Sequence, residues 1–524
     1  MTTLSPDSIS WSIEHLARYS DTDIFPRLFE FQAIRHCRDE VIKWLTNQDI
    51  CQWSTRPLRR CLVPKQKYDF RIATQLDPLD MVFYLALCLE VGDQVEHHRI
   101  PTNQNIAFSN RFSKDDKNTL MFDRNIGYAE FQEHSRDLIE KSDFVVTADI
   151  ADFYPRIYLH DLDHALTSSM KSTPTHARAI SQLLKGWNQT KSYGIPVGNN
   201  PSRLFAELLL DDVDRMLLAN GAVFCRYVDD YRIFCNSRQL AYQYLILLAN
   251  TLYNSHGLTL QPQKTKILSS DNFVNDVLET EERKELQSLT DGFEEIASQL
   301  GLDNPYQPIE YDDLAPEFRK QIDGLNLESL LIKQLKSESM DISMMRFLIS
   351  RLGQLKRTGP LDNLLIDIDK IYPVFAEFVR YLAQVTDIIR PDGREKVGGF
   401  LLGKLQNSVV SHLEFHRMLI MSLFAGGREW GNADKLAGYY DVIPDDWFRR
   451  CLIIALGKAG QDYWLRAKKP SVENMPPWQK RAFIYAASCF ENDEMKHWYY
   501  AIRPRLDNLE KYIVTWASNS RASA

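Results

Sequence analysis

The chain has 524 residues, of which 44% are hydrophobic and 25% charged, and its formal net charge is −8. This length allows about three domains of ordinary size, and the composition is that of a globular protein rather than a disordered or fibrous one. No run approaches the ~20 apolar residues of a membrane span, and the N-terminus lacks the basic flank of a secretory signal, so we expect a cytoplasmic protein. The eight cysteines include no C-x-x-C pair, which argues against a zinc ribbon or a disulfide framework.

The N-terminal part of the chain is predicted to be mostly helical, with an irregular basic stretch at 51–71. That stretch holds six basic residues against one acid, Asp69. A patch of this kind suits phosphate contacts in an otherwise acidic chain, and a solvated charged surface is an equally good interpretation. Residues 76–90 predict a helix entered through Asp77-Pro78, because proline is tolerated in a first helical turn.

Between about 105 and 270 the pattern changes to short β-branched or aromatic runs that alternate with amphipathic stretches. The runs predict strands at 144–150, 223–228 and 231–235, the last two forming a hairpin with Asp229-Asp230 at its tip. Helices are predicted near 161–171, 176–185, 203–219 and 238–256.

Beyond this region strand signals nearly vanish. Three prolines at 300–316 predict an irregular linker, which we place at 291–320, between a first domain at 1–290 and an all-α domain at 321–524. Near the C-terminus, the segments that start at Trp447 and Trp478 match weakly at an offset of 31 residues. Helix-pair repeats have periods of this order, and two similar core helices are an equally weighted alternative.

The residues with the clearest chemistry are aspartates at strand ends. Asp149 ends one predicted strand, and Asp229-Asp230 lie in a tight turn between two others. Phosphoryl transfer by two metal ions needs carboxylates that hold the ions about 3.5–4 Å apart, and Mg²⁺ prefers such hard oxygen ligands. An aspartate pair in a turn is usually structural. Two aspartate sites that both adjoin predicted strands, about 80 residues apart, are less common than a single aspartate pair in a turn.

Four stretches in order resemble the motifs of reverse transcriptases. They read T-A-D-I-A-D-F-Y-P-R-I (147–157, motif A), G-I-P-V-G-N-N-P-S-R-L-F-A-E (194–207, motif B), R-Y-V-D-D-Y (226–231, motif C) and G-L-T-L-Q-P-Q-K-T-K-I (257–267, motif D). Upstream, D-F-R-I-A-T (69–74) and I-A-F-S-N-R-F (106–112) are similar to finger motifs of the bacterial members. The resemblance implies an α+β fold: the right-hand-like fingers and palm of a reverse transcriptase, with an antiparallel palm sheet, followed by an all-α HEAT-like helical-repeat domain.

The same resemblance implies roles for single positions. The catalytic set would be Asp149, Asp229, Asp230 and Lys264, with Lys264 as proton donor to pyrophosphate or simply a surface lysine. Tyr154 matches the steric gate that selects dNTPs over NTPs. The full implied sets are Asp149, Ile150, Asp229 and Asp230 for metal, and Lys65, Arg71, Arg111, Tyr154 and Gly198 for nucleotide. The implied cofactor is Mg²⁺, with Mn²⁺ as an alternative.

The sequence also departs from the family pattern. Motif B commonly reads Gly-Leu-Pro-Gln-Gly-Ser-Pro, and here Val197 replaces the glutamine. An apolar side chain cannot make the hydrogen bonds of an amide, which puts template handling in doubt. The continuation R-L-F-A-E (203–207) instead resembles the abortive-infection (Abi) reverse transcriptases, the phage-defence branch.

That resemblance implies untemplated DNA synthesis primed on a hydroxyl of the protein itself, typically a tyrosine. The candidates are Tyr19, Tyr306 and Tyr311, out of 23 tyrosines. The implied partners are dNTPs, a single-stranded DNA product attached covalently, a phage or host trigger, and further copies of the chain in a homo-oligomer of three or more. Two alternatives remain: a templated RNA-dependent DNA polymerase, and a helical-repeat scaffold or sensor with a vestigial polymerase site.

Overall fold

The computed structural model describes residues 1–189, 191–300, 309 and 311–522. The chain divides into two compact units. The first comprises Met1–Arg60 and Ile72–Thr280, and the second comprises Cys61–Arg71 and Glu281–Ala524. Within the described ranges, no helix has both the length and the apolar character needed to cross a membrane.

The first unit mixes helices with short antiparallel strands. Its helices are α1 (Pro6–Tyr19), α2 (Glu30–His36), α3 (Arg38–Leu45), α4 (Pro78–His98), α5 (Tyr128–Ile139), α6 (Phe153–Arg156), α7 (Leu159–Ser169), α8 (Pro174–Asn188), α9 (Asn200–Leu209), α10 (Asp211–Ala219), α11 (Arg238–His256) and α12 (Ser270–Phe273). A π-helical turn at Val274–Leu278 continues α12, and 3₁₀ turns lie at Ile50–Gln52 and Thr102–Gln104. The strands that belong wholly to this unit are β3 (Phe112–Asp115), β4 (Leu120–Phe122), β5 (Phe144–Asp149), β6 (Val223–Tyr227), β7 (Asp230–Cys235) and β8 (Lys266–Ser269). The strands β1 (Arg59–Gln66) and β2 (Asp69–Gln75) belong partly to this unit and partly to the segment Cys61–Arg71 of the second unit.

Helix α4 is the central helix of this unit and confirms the prediction at 76–90, although it continues to His98. Asp77 caps it: the carboxylate accepts from the Leu79 amide at 3.1 Å. That bond satisfies one of the amide donors left over at a helix N-terminus. Nearly every side chain from Pro78 to Leu89 is buried, so the helix is apolar on all sides and belongs to the core.

The main sheet has the strand order β6-β7-β5-β8, and each neighbouring pair is antiparallel. This confirms the predicted strands and hairpin. One face packs against α5 and α12, in a core that includes Phe131, Val145, Cys225, Phe234 and Phe273. The rows of β-branched and aromatic residues in β5 and β7 therefore fix the register by burial, because a slip of one residue would expose them.

Two local predictions were wrong. The stretch 51–71 is not irregular throughout, because β1 and β2 form a two-stranded sheet there. Arg59, Cys61 and Val63 alternate as buried residues with exposed neighbours, a strand pattern that the basic residues disguise in the sequence. The helix predicted at 203–219 is two helices, α9 and α10, that divide at Leu210.

Outside Cys61–Arg71, the described part of the second unit is helical. Its α-helices are α13 (Glu281–Gln299), α14 (Pro316–Gly324), α15 (Leu327–Lys336), α16 (Ile342–Gln354), α17 (Leu361–Ile366), α18 (Phe375–Val385), α19 (Pro391–Gly403), α20 (Glu414–Gly426), α21 (Ala433–Leu436), α22 (Tyr439–Val442), α23 (Asp446–Lys458), α24 (Asp462–Lys468), α25 (Pro477–Ala486), α26 (Asn492–Ile502) and α27 (Asn508–Ala522). Its 3₁₀ turns lie at Tyr311–Asp313, Tyr372–Val374, Val409–His412, Lys469–Asn474, Ala487–Cys489 and Arg503–Arg505.

The predicted linker at 291–320 overlaps two of these helices, since α13 continues to Gln299 and α14 begins at Pro316. Residues 301–308 and 310 lie outside the described part of the chain, and Tyr306 is among them. The predicted division at 291–320 stays a prediction.

Helices α16, α18, α20, α23, α25 and α27 pack in sequence, each against the next. The two matching segments are neighbours in this row: the rings of Trp447 and Trp478 lie 4.8 Å apart. Gly457 makes the close approach of α23 to α25 possible, because a Cβ there would come within 2.8 Å of the Ala486 backbone. The weak match in the sequence thus corresponds to two adjacent core helices.

Candidate active site

The hairpin between β6 and β7 turns through Val228 and Asp229, between the paired residues Tyr227 and Asp230. Val228 has φ +55°, a conformation that is an outlier for a β-branched residue and costs about 1–3 kcal/mol. Two contacts hold it there. Its amide donates to Ser109 Oγ at 2.8 Å, and its carbonyl accepts from Arg226 Nη1 at 3.0 Å. The surrounding structure therefore fixes the turn that carries Asp229.

Three carboxylates meet beside this turn. Asp149, the last residue of β5, lies directly opposite Asp230, the first of β7. Opposed residues of antiparallel strands have Cα atoms about 4.5–5.5 Å apart, so these two carboxylates start from neighbouring points, with Asp229 one residue away in the turn. The structure thus brings together the three aspartates that the sequence predicted as catalytic.

Lys264 also belongs to this cluster, since its Nζ lies 2.6 Å from Asp149 Oδ2. Burial acts to lower the pKa of Lys264. The hydrogen bond to Asp149 and the charges of the three aspartates outweigh burial and raise that pKa above its ordinary value. The ammonium is therefore charged at neutral pH and placed where it can give up a proton next to the carboxylates.

The donor chemistry of the cluster suits a hard divalent cation, because all three side chains offer carboxylate oxygens. The Lys264 ammonium donates a hydrogen bond to Asp149, as expected for a site whose negative charge attracts cations. Among the described residues, however, no three His, Cys, Asp or Glu side chains are arranged as a metal site. Ile150 is buried and pairs with Leu260 in an isolated bridge. Metal binding by Asp149, Ile150, Asp229 and Asp230 stays a prediction.

A buried charge network lies behind the turn, centred on Glu207 of α9. Its carboxylate accepts from Arg226 at 2.6 Å, from Arg99 at 3.0 Å, from Asn110 at 3.1 Å and from the hydroxyl of Ser109. Burial alone would raise the pKa of Glu207, but the two guanidinium groups outweigh it and lower that pKa. Glu207 therefore stays ionised while almost fully buried.

The network continues from Glu207 to the turn. Arg226 also holds Asp214 through its Nη2, at 2.8 Å, and donates to the Val228 carbonyl. Ser109 bridges Glu207 to the Val228 amide. The sequence predicted no role for Glu207 or Ser109. The available signal was an acid in the run from Leu204 to Leu209, which is otherwise apolar.

Tyr154, in the short helix α6, lies close enough to Asp229 for that carboxylate to influence it. Burial and the charge of Glu207 raise the pKa of the phenol, Arg203 lowers it, and Asp229 adds to the rise. The ring packs edge-on against Phe153 at 5.5 Å, and the Tyr154 carbonyl accepts from the Ile195 amide at 3.1 Å. Tyr154 is thus in the site, and its role as steric gate stays a prediction.

The segment before α9 is held through its backbone. Gly198 has φ +116°, and a Cβ there would lie 2.9 Å from Thr22 Oγ1, so a side chain is excluded by both conformation and space. The Val197 carbonyl accepts from the Thr74 amide at 3.1 Å. Asn199, which replaces the usual serine, caps α9 by accepting from the Ser202 amide at 3.0 Å. The nucleotide-binding role of Gly198 stays a prediction.

Three further residues are predicted to bind the nucleotide, namely Lys65, Arg71 and Arg111. Arg111 is buried, 2.7 Å from Glu96 Oε1, and donates to the Ile100 carbonyl at 2.8 Å. Burial, helped by Arg99, lowers its pKa to about 10. A phosphate contact by Arg111 would require it to leave Glu96. Lys65 and Arg71 lie in the segment grouped with the second unit, where the Lys65 carbonyl accepts from Arg346 at 3.3 Å. All three roles stay predictions.

Two of the three candidate priming tyrosines are described, and both hydroxyls are engaged. Tyr19 donates to the Asn118 carbonyl at 2.7 Å. Tyr311, in the second unit, donates to Asp323 at 2.7 Å, and this bond raises the pKa of its phenol. Tyr306 lies outside the described residues. The priming residue therefore stays a prediction.

One protein family and several solved structures are similar to this chain. The model of the family described as reverse transcriptase (RNA-dependent DNA polymerase) matches residues 97–299. Among solved structures, apo telomerase from Candida tropicalis is similar at a TM-score of 0.33 and 9% identity, with 68% of this chain and 67% of that chain covered. Telomerase from Candida albicans with a fragment of telomeric RNA has a TM-score of 0.33 at 11% identity, with coverage of 74% and 69%. No curated protein sequence matches. On the match of the family model, residues 97–299 contain a reverse transcriptase domain, and Asp149, Asp229, Asp230 and Lys264 all lie within that range.

Proposed function

We propose that the protein is a DNA polymerase that adds dNTPs through Asp149, Asp229 and Asp230. The observation that carries this proposal is the register of β5 and β7, which sets Asp149 opposite Asp230 beside a fixed turn that bears Asp229, inside a reverse transcriptase domain. When bound there, Mg²⁺ would supply Lewis-acid activation and charge neutralisation, with Asp149 and Asp229 as its main ligands.

The chain's own residues account for the rest of the step. A hydroxyl oxygen attacks the α-phosphorus of the dNTP, the bond to the β-phosphate oxygen breaks, and the hydroxyl loses its proton to solvent. The pyrophosphate that leaves takes up a proton, and Lys264 is the donor, since its raised pKa keeps it charged until then. Tyr154 lies beside the site and excludes a sugar with a 2′-hydroxyl.

We further propose that synthesis is untemplated and primed on the protein, as in the Abi reverse transcriptases, and that the enzyme acts in phage defence. Val197 supports this, because it occupies the position where an amide side chain would contact nucleotide and template. Its carbonyl is used within the protein, by the Thr74 amide. The serial packing from α16 to α27 supports a HEAT-like array in the second unit.

The test is incubation of the full chain with labelled dNTPs and Mg²⁺, without template or primer, followed by denaturing electrophoresis. Label that migrates with the protein and disappears on nuclease treatment supports protein-primed synthesis. Asp229→Asn is the control, and mass spectrometry of the labelled peptide identifies the priming residue. Light scattering of the same preparation measures whether three or more copies assemble.

A second candidate, a templated RNA-dependent DNA polymerase, is favoured by the family model itself. Incorporation that depends strictly on an added RNA template with an annealed primer would support it and contradict the first proposal. An Asp229→Asn protein that still protects cells from phage would instead support the scaffold with a vestigial site.

A further inference from the structure

Helix α7 carries a pair of histidines that none of the four motifs includes. His160 and His164 are four residues apart, so their side chains are neighbours on one face of the helix. Their Nε2 atoms lie 3.1 Å apart, and the ring centroids lie 4.4 Å apart with the ring planes at 87°. Both side chains are exposed. The proposed reaction gives this pair no role.

The distance between the two Nε2 atoms is one that a shared metal ion requires. Zinc binds imidazole nitrogen at about 2.0–2.1 Å, so two nitrogens on one ion, at bond angles of about 90–110°, lie about 2.8–3.4 Å apart. The observed 3.1 Å falls within this range. Histidines four residues apart on a helix are also the pair that helical zinc sites use. The free side chains thus already have the spacing of a chelate.

Without a metal, the same contact is a hydrogen bond in which one Nε2–H donates to the other Nε2. Between exposed side chains such a bond contributes little, because each ring can form an equivalent bond to water. A metal ion takes the place of the shared proton and uses the lone pairs of both Nε2 atoms, while each neutral ring keeps its proton on Nδ1. Metal titration therefore distinguishes a chelate from a hydrogen bond.

The surroundings of the pair decide what else an ion there would bind. Asp163, on the same helix, accepts from the hydroxyl of Ser181 and lies 3.5 Å from Lys185 Nζ, so its carboxylate is used by α8. Within the described part of the chain, no third His, Cys, Asp or Glu side chain completes a metal group. The remaining coordination positions of an ion on His160 and His164 are therefore open to water.

We propose that His160 and His164 form a two-ligand site for a first-row transition-metal ion of the class Cu²⁺, Ni²⁺ and Zn²⁺. Imidazole suits these ions, whereas Mg²⁺ prefers oxygen ligands, so the site is chemically separate from the aspartates. Cu²⁺ is expected to bind more tightly than Ni²⁺ or Zn²⁺, since affinity peaks at copper along this series. The ion would bridge the first two turns of α7, the helix that follows motif A.

The test is calorimetric titration of the full chain with Cu²⁺, Ni²⁺ and Zn²⁺ in excess Mg²⁺, which occupies carboxylate sites without competing for imidazole. His160→Ala and His164→Ala are each expected to weaken binding of the three ions by at least about tenfold, the loss of one of two ligands. Both variants should fold, because both side chains are exposed and alanine favours a helix. Electron paramagnetic resonance of bound Cu²⁺ should show two imidazole nitrogens in the wild type and one in each variant.

The chain offers a matched control with the same spacing. His412 and His416 are also four residues apart, but His416 is buried, with its ring 4.8 Å from that of Phe375. His412→Ala should therefore leave metal binding at the wild-type level. Asp229→Asn should also bind the three ions normally, so the outcome is separate from that of the proposed polymerase function.

A second variant tests the spacing itself. His164→Ala combined with Ala165→His keeps the number of histidines but moves one to a different face of the helix, so it should bind as weakly as His164→Ala. Weaker binding in all three variants, with two nitrogens on Cu²⁺ in the wild type, supports the site. Absence of binding of all three ions, a single nitrogen on Cu²⁺ in the wild type, or wild-type affinity in both alanine variants overturns the proposal.

Discussion

Ser109→Ala tests whether the buried network positions the turn that carries Asp229. The substitution removes the hydroxyl that accepts from the Val228 amide and donates to Glu207, at a residue that is 1% exposed. A buried group left without its partner costs about 1–3 kcal/mol. The strain held at Val228 is of the same size, about 1–3 kcal/mol. Since the lost bond is comparable to the strain that it helps to hold, we expect the turn to relax and Asp229 to move.

A displacement of about 1 Å at a reacting group costs about 10²-fold in rate. We therefore expect Ser109→Ala to lose at most about 1–3 kcal/mol of unfolding free energy, because relaxation of the Val228 strain offsets part of the loss, and about a hundredfold in dNTP incorporation per folded molecule. Urea denaturation measures the stability loss, and incorporation is corrected for the folded fraction.

The matched control is Asn110→Gly, which deletes one 3.1 Å bond to Glu207 and leaves both contacts to Val228 in place. Glycine is the suitable replacement because Asn110 has φ +47°. This variant should lose stability but keep its activity per folded molecule. Equal activity losses in the two variants would refute a positioning role for Ser109.

Four further outcomes are expected. Asp229→Asn should reduce incorporation by at least about 10³-fold with little change in stability, and residual activity above that level would contradict its catalytic role. Lys264→Gln should slow the reaction about 10²-fold. Because the pKa of Lys264 is raised above 10.5, its contribution to stability persists at neutral pH and is lost only as pH rises through that folded-state value, which alkaline titration of both proteins checks. Val228→Gly should raise stability by about 1 kcal/mol and lower activity, because glycine accepts the positive φ but frees the turn. Tyr154→Ala should admit NTPs about 10²-fold better relative to dNTPs, measured in competition, and an unchanged ratio would exclude it as the steric gate.

Local patterns were enough to predict the strands that carry the aspartates. The β-branched run before Asp149 and the apolar runs around Asp229-Asp230 are short-range signals, and α11 was predicted with its observed bounds, 238–256. The opposition of Asp149 and Asp230 then follows from the pairing of β5 with β7.

The partners of the charged residues could not be predicted in this way. Arg111 matched a motif, but its position depends on Glu96 of α4, and that pairing arises from tertiary packing rather than sequence spacing. Glu207 was missed for a related reason: an acid in an apolar run is informative only once the two arginines around it are known. The strand β1 was missed because basic residues broke its apolar alternation.

The four charges behind the turn also limit how this protein can be redesigned. Arg99, Glu207, Asp214 and Arg226 come from four different stretches of the sequence, and their formal charges cancel. A hairpin transplanted into another protein with Arg226 alone would bring an uncompensated cation into the interior. A transplanted hairpin would therefore need all four charged residues and Ser109. The six residues of motif C alone include only one of these five.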